Sequence, residues 1–117
     1  MRYQYGDSGF DVGAVLVSTQ LMSYHVHPSM ITLYFGDRAQ IDLQPHCTVT
    51  IGNAPAWGAM DEPLGLRQRV YQQVASARFV DDNGLEICFD DGPRMLICRG
   101  GVPESFHICV GDQILIY

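Results

Sequence analysis

The sequence predicts a mainly β, β-rich α+β domain: two antiparallel three-stranded meanders forming a sandwich or a curled sheet, with one helix over residues 62–75. Three observations predict it. Short apolar and β-branched runs alternate with polar residues at a period of two, and turns containing glycine or aspartate punctuate them. A single stretch instead shows helical spacing behind a helix-start signal. At 117 residues the chain is one domain, with a first meander over 12–53, the helix over 62–75 and a second meander over 77–117.

Taken in order, residues 12–18 read as one strand and 20–26 as a looser second. Met30-Ile31-Thr32-Leu33-Tyr34-Phe35 then alternates, with Ile31, Leu33 and Phe35 on one face and Thr32 and Tyr34 on the other. Gly36-Asp37-Arg38 turns the chain and Gln40-Ile41-Asp42-Leu43-Gln44 returns it. Pro45, lacking an N–H, stops the ladder, and residues 47–51 supply a further strand. Residues 52–60 form a glycine- and alanine-rich connection that carries the only tryptophan, Trp57, either a plug at one end of the sandwich or an exposed anchor.

Asp61, Glu62 and Pro63 make the helix-start signal: a cap, an acid at the positive end of the dipole, and a proline whose missing donor costs nothing there. Leu66, Val70, Tyr71 and Val74 line the apolar stripe, and Arg67, Gln68, Gln72 and Gln73 face outward. Gly65 weakens this helix, so it needs a surface to pack on. Residues 77–80 read as a strand leading into Asp81-Asp82-Asn83-Gly84, and Leu85-Glu86-Ile87-Cys88-Phe89 alternates. Asp90-Asp91-Gly92 turns the chain, the glycine taking the positive φ of a bulge-closed hairpin loop. Arg94-Met95-Leu96-Ile97-Cys98 is apolar on both faces, which calls for a cover, and the helix is the natural one.

The two hairpins also align as a duplication. Ile31 to Asp37 lies over Leu85 to Asp91, and Ile41 and Leu43 over Met95 and Ile97. Val49-Thr50-Ile51-Gly52-Asn53 lies over Ile108-Cys109-Val110-Gly111-Asp112.

Thirteen Asp plus Glu against seven arginines and no lysine give a net charge of −6. That balance repels a nucleic-acid backbone overall and attracts a basic protein or ligand. No apolar run is long enough to cross a membrane, and the N-terminus lacks the h-region of a secretory signal, so the expected compartment is the cytosol. Cys47, Cys88, Cys98 and Cys109 include no Cys-x-x-Cys pair and read as reduced thiols.

His25-Val26-His27 places two imidazoles on one strand face at a metal-ligand spacing, with His46-Cys47 and His107 with Cys109 as further donors. The spacing of known structural zinc sites is absent, and no Gly-x-Ser-x-Gly elbow or calcium loop occurs, so no catalytic, cofactor or metal residues are assigned. Asp37, Asp81, Asp82, Asp90, Asp91 and Asp112 all fall at turns, where aspartate caps local N–H groups. Lying together, those turns would make an acidic rim for a basic protein, with Tyr34 and Trp57 as aromatic contacts.

Gly84-Leu85-Glu86-Ile87-Cys88-Phe89-Asp90-Asp91-Gly92-Pro93-Arg94-Met95-Leu96-Ile97, followed by Glu104-Ser105-Phe106-His107-Ile108, resembles a family of small bacterial proteins. Its members carry a Gly-x-Leu-x-Leu-x-Phe-Asp-Asp-Gly hairpin, then Glu-Ala-Trp and a short final strand. Here Glu104-Ser105-Phe106 stands in place of Glu-Ala-Trp, and the resemblance covers about residues 28–117. Such proteins look like immunity proteins, encoded beside secreted or contact-dependent toxins and binding the toxin in the producing cell's cytosol. The resemblance implies a cognate, basic toxin as partner and supplies no catalytic residues to carry over; from the absence of catalytic motifs, no enzymatic activity and no cofactor are expected. A small-ligand or metal-binding β-sandwich using His25, His27 and the thiols is the alternative; the oligomeric state stays open.

Overall fold

The computed structural model describes residues 2–5, 10–52, 54–57, 67–80, 84–92, 94–98 and 106–117, of which 2–5 and 54–57 are described as backbone only. In chain order the elements are β1 (Arg2–Tyr5), α1 (Val12–Leu16), β2 (Leu21–His27), β3 (Met30–Phe35), β4 (Ala39–Leu43), β5 (Thr48–Ile51), β6 (Ala54–Trp57), β7 (Val74–Val80), β8 (Gly84–Phe89), β9 (Met95–Cys98), β10 (Phe106–Val110) and β11 (Gln113–Ile116). They form a β-rich sandwich of two sheets, ordered β1-β11-β10-β4-β3-β2 and β6-β5-β9-β8-β7. All neighbours are antiparallel except β1 and β11.

The apolar alternation sets what lies between the sheets. Ile31, Leu33 and Phe35 of β3, Ile41 and Leu43 of β4, and Phe106 and Ile108 of β10 are fully buried from the first sheet. Leu85 and Ile87 of β8, Met95 and Ile97 of β9, and Val49 of β5 are fully buried from the second. Each such side chain contributes roughly 1.5–3 kcal/mol by leaving water. At the chain end Tyr117 packs edge-on against Phe106 of the first sheet and Phe79 of the second, with ring centroids 5.1 and 4.8 Å apart.

Three sequence expectations change. Residues 12–16 are helical, not a strand: Asp11 Oδ1 accepts from the Ala14 amide at 3.0 Å, and Val12 and Leu16, one turn apart, are buried. The helix expected over 62–75 does not hold through its second half. Residues 61–66 lie outside the described residues, Arg67 is helical, 68–71 form a turn, and Val74 already begins β7. Tyr71 has φ 70, a left-handed conformation that cannot continue a helix, and the Val74 amide is bonded to the Thr19 carbonyl at 2.8 Å. Residues 54–57, read as connection, pair as β6.

The meanders themselves are corrected in their neighbours. β2-β3-β4 and β7-β8-β9 each form a three-stranded meander, but the hairpin after each one crosses to the other sheet: β5-β6 joins β9, and β10-β11 joins β4. The chain is thus two repeats that exchange their last two strands. Equivalent pairings match: Ile31 opposes Leu43 as Leu85 opposes Ile97, and Leu33 opposes Ile41 as Ile87 opposes Met95. Both meanders carry a register shift at the same place, Leu21/Ser23 in one and Val74/Ser76 in the other.

The exchanged hairpins align at their turns, where Gly52 and Gly111 have φ 64 and 60. Against the neighbouring strand they differ by two residues, Ile51 opposing Met95 whereas Ile108 opposes Ile41. A slip of two keeps every side chain on its face, so the core tolerates it.

The repeats meet in a short antiparallel seam whose bridge pairs Gln20 with Gln73. Its hydrogen bonds come in matched pairs. Ser18 N–H donates to Val74 O at 3.0 Å and Tyr71 N–H to Leu21 O at 2.7 Å; Val74 N–H donates to Thr19 O at 2.8 Å and Leu21 N–H to Gln72 O at 3.2 Å. Ser18 and Tyr71 share φ 70. No helix among the described residues is long and apolar enough to cross a membrane.

Candidate functional site

The seam also positions the turns. Gly36 N–H donates to Gln20 O at 2.9 Å and Asp90 N–H to Gln73 O at 2.8 Å, so the β3–β4 and β8–β9 turns flank the same bridge. Asp37, Asp90 and Asp91 are exposed there. Because Val110 opposes Ala39, the β10–β11 turn with exposed Asp112 lies at the same sheet end as Asp37. The structure therefore brings four of the predicted turn aspartates to neighbouring turns, while Asp81 and Asp82 lie outside the described residues.

Arginines that the turn pattern did not reveal stand among them. Arg38 is exposed next to Asp37. Arg69 donates from Nη1 to the Asp91 carbonyl at 2.9 Å and lies over Gly92, where a Cβ would come within 1.9 Å of that nitrogen. Gly92, at φ 84, is required by the turn, and a side chain there would also displace the guanidinium above it. The rim is acidic with cations set into it.

Three open clefts of about 380, 250 and 440 Å³ surround the β3–β4 turn, and all three are lined by Asp37 and Arg38. The first runs along the seam between Val17, Met22, Gln20 and Gln73. Val17 and Met22 are 38% and 40% exposed, and Tyr71, whose amide is bonded to Leu21 beside Met22, is 67% exposed. These three apolar side chains were not singled out as contacts by sequence. The sequence pattern places Tyr71 on the apolar stripe of a helix, whereas the structure gives it a left-handed backbone and an exposed side chain.

The predicted aromatic contacts lie elsewhere. Tyr34 is half-buried on the outer face of the first sheet, between Ser23 and Gln40. Trp57 belongs to β6, at the edge of the second sheet, and its side chain lies outside the described residues.

A row of polar groups crosses the outer face of the first sheet: His25 opposes Thr32, Thr32 opposes Asp42, and Asp42 opposes His107. His25 and His27 share that face, their ring centroids 4.2 Å apart. Thr32 Oγ1 and Gln40 Nε2 both donate to Asp42 Oδ1, at 2.9 and 3.0 Å. Beside this carboxylate, burial first and then the Asp42 charge push the Cys109 thiol above its usual range, so it stays protonated at neutral pH. Among the described residues no group of three or more His, Cys, Asp and Glu side chains is placed to hold a metal ion.

On the second sheet Glu86, 7% exposed, accepts from Arg78 Nε at 3.0 Å and from Arg94 Nη1. The Arg78 hydrogen bond, joined by that of Arg94, holds its carboxyl below the usual carboxylate range against the opposing pull of burial.

Fold and surface define a class: a two-repeat β-sandwich with exchanged hairpins, and a polar seam flanked by exposed Val17, Met22 and Tyr71 and by charged turns. Comparison with protein-family profiles, curated proteins and solved structures returns no match.

Proposed function

We propose that the chain is a non-enzymatic binding protein of the immunity class, which covers the active site of a basic bacterial toxin, a nuclease, in the cytosol of the producing cell. The observation that carries this reading is the exposure of Asp37, Asp90, Asp91 and Asp112 on adjoining hairpin turns of a chain with net charge −6. A nuclease cleft is built to bind phosphates, and carboxylates presented on hairpin turns offer it the same sign of charge. The hairpin that carries the family resemblance is the one presenting Asp90 and Asp91. The protonated Cys109 thiol lends no support to a nucleophilic role.

The test is genetic and then kinetic. Expression of the open reading frame immediately upstream of this chain's own should arrest growth, and co-expression of the chain should restore it. Reversing Asp90 and Asp91 together to arginine should slow association with that product, with the difference fading as salt screens it. Turnover of a compound that disappears when one histidine or thiol is replaced would overturn the reading.

A further inference from the structure

Ser18 and Tyr71 occupy equivalent places in the two repeats and both adopt φ 70. A left-handed backbone suits glycine or asparagine and disfavours a bulky side chain, so tyrosine is the outlier of the pair. Strained residues of this kind concentrate where function retains them. Tyr71 does not bury its ring within the fold in exchange, being 67% exposed. Met22, next to the Leu21 whose carbonyl accepts from the Tyr71 amide, is also exposed, and it shares one cleft with exposed Val17 and with Gln20, Gln73 and Asp37.

We propose that Tyr71, Met22 and Val17 form the apolar centre of a docking surface for a basic protein, with Asp37, Asp90 and Asp91 as its rim. The surface has the anatomy of a protein interface, an aromatic anchor within a small apolar patch bordered by charge. Charge selects the occupant. The chain carries −6, and the turns bearing Asp37 and Asp90-Asp91 flank the Gln20–Gln73 bridge. Two guanidiniums stand among them, Arg38 exposed beside Asp37 and Arg69 bonded to the Asp91 carbonyl, so three rim carboxylates outnumber two cations. The net charge of −6 repels phosphate backbones and anionic headgroups overall, whereas lysines and arginines of a protein meet the excess of carboxylate acceptors. The proposal rests on the immunity reading and names the face that reading requires.

The experiment titrates the purified full chain with the purified product of the adjacent upstream open reading frame. Tyr71→Gly should weaken binding by about tenfold or more while Tm stays level or rises, because glycine relieves the backbone as it removes the anchor. Met22→Ser should weaken binding several-fold at unchanged Tm, and Asp37→Arg should slow association at low salt only. Val26→Ser is the control: Val26 is 48% exposed but lies toward the far end of β2. Its replacement should leave affinity unchanged.

If the unaltered chain does not bind that product, the immunity reading falls and this surface with it. If it binds and both Tyr71→Gly and Met22→Ser bind equally well, the surface alone is overturned. A loss of Tm in Tyr71→Gly would remove the strain argument and leave Met22→Ser to decide. Self-association, or binding to duplex DNA or anionic vesicles, that Tyr71→Gly abolishes would assign the face to another occupant and overturn the proposal.

Discussion

The outer faces of the two sheets occupy equivalent places in the two repeats, yet they hold a carboxylate in opposite ways. Thr32 and Glu86 stand at the same position of β3 and β8. In the first sheet Thr32 is a donor to Asp42 on the next strand, and Gln40 is a second, so the carboxylate is satisfied by neutral groups. In the second, the carboxylate has moved onto β8 itself, the opposing residue is Leu96, and two arginines supply the donors. One backbone thus carries two electrostatic solutions. The lesson is that the repeat constrains which positions face inward, whereas the polar face is free to diverge.

The largest effect should come where the repeats are most alike. Leu33→Ala and Ile87→Ala delete fully buried side chains at equivalent positions. Each should destabilise the fold by about 2–5 kcal/mol in denaturant unfolding, through lost transfer energy and the cavity left behind. Similar losses at the two sites would make the repeat an energetic as well as a geometric one. A difference of more than about 2 kcal/mol would show that one half collapses around a cavity better than the other.

Glu86 should come next. Glu86→Gln leaves two arginines that are largely exposed and can rehydrate, with side chains 70% and 58% accessible, so the loss is about 1–2 kcal/mol and not that of a fully buried ion pair. The pH dependence follows from the lowered carboxyl. In acid the unfolded chain takes up the proton first, so the Glu86 contribution is fully present above its ordinary value of 4.5 and is lost as pH falls through the lower folded value. Unfolding measured from pH 7 to 3 should show the unaltered chain converging on Glu86→Gln only below about pH 4.5. Asp42→Asn, which keeps an oxygen to accept from Thr32 and Gln40, should cost less, about 0.5–1.5 kcal/mol.

How legible these regions are in the sequence depends on what each pattern encodes. Period-two alternation specifies a face, so Ile31, Leu33, Ile41, Leu85, Ile87, Met95 and Ile97 are readable as core. It does not specify a neighbour, and that is why the exchange of β5-β6 and β10-β11 between sheets is invisible in it, as is the two-residue slip. Val12, Val15 and Leu16 do have helical spacing behind Asp11, but a run of β-branched residues outweighs five residues of periodicity. Val74 fits a helical stripe and a buried strand equally well, and its partner Thr19 is too distant in sequence to arbitrate. The aspartates of the candidate surface are legible because turn chemistry is local. Arg69 and Tyr71 are not, because one reaches the Asp91 carbonyl across the fold and the other depends on a backbone angle.

A smaller effect tests the seam as the point of contact between the halves. Ser18→Gly relieves the left-handed backbone at the cost of a more flexible unfolded chain, so stability should rise by a few tenths to about 1 kcal/mol. Loss of stability instead would mean that the Ser18 side chain contributes to holding the repeats together beyond its amide bond to Val74.

The smallest expected change returns to the polar face of the first sheet. Burial is the larger cause that raises the Cys109 thiol and the Asp42 charge the lesser, so Asp42→Asn should remove only the lesser part. The pH at which Cys109 is half-alkylated should lie above the ordinary 9.0 in the unaltered chain and move down only slightly in the variant. Peptide-resolved alkylation separates Cys109 from the other three thiols. A large downward move would mean that the carboxylate, not the packing, governs this face. A polar row that tunes a thiol chiefly through its own charge would be a chemical site, and the contrast with the arginine-held Glu86 would become one of function as well as of electrostatics.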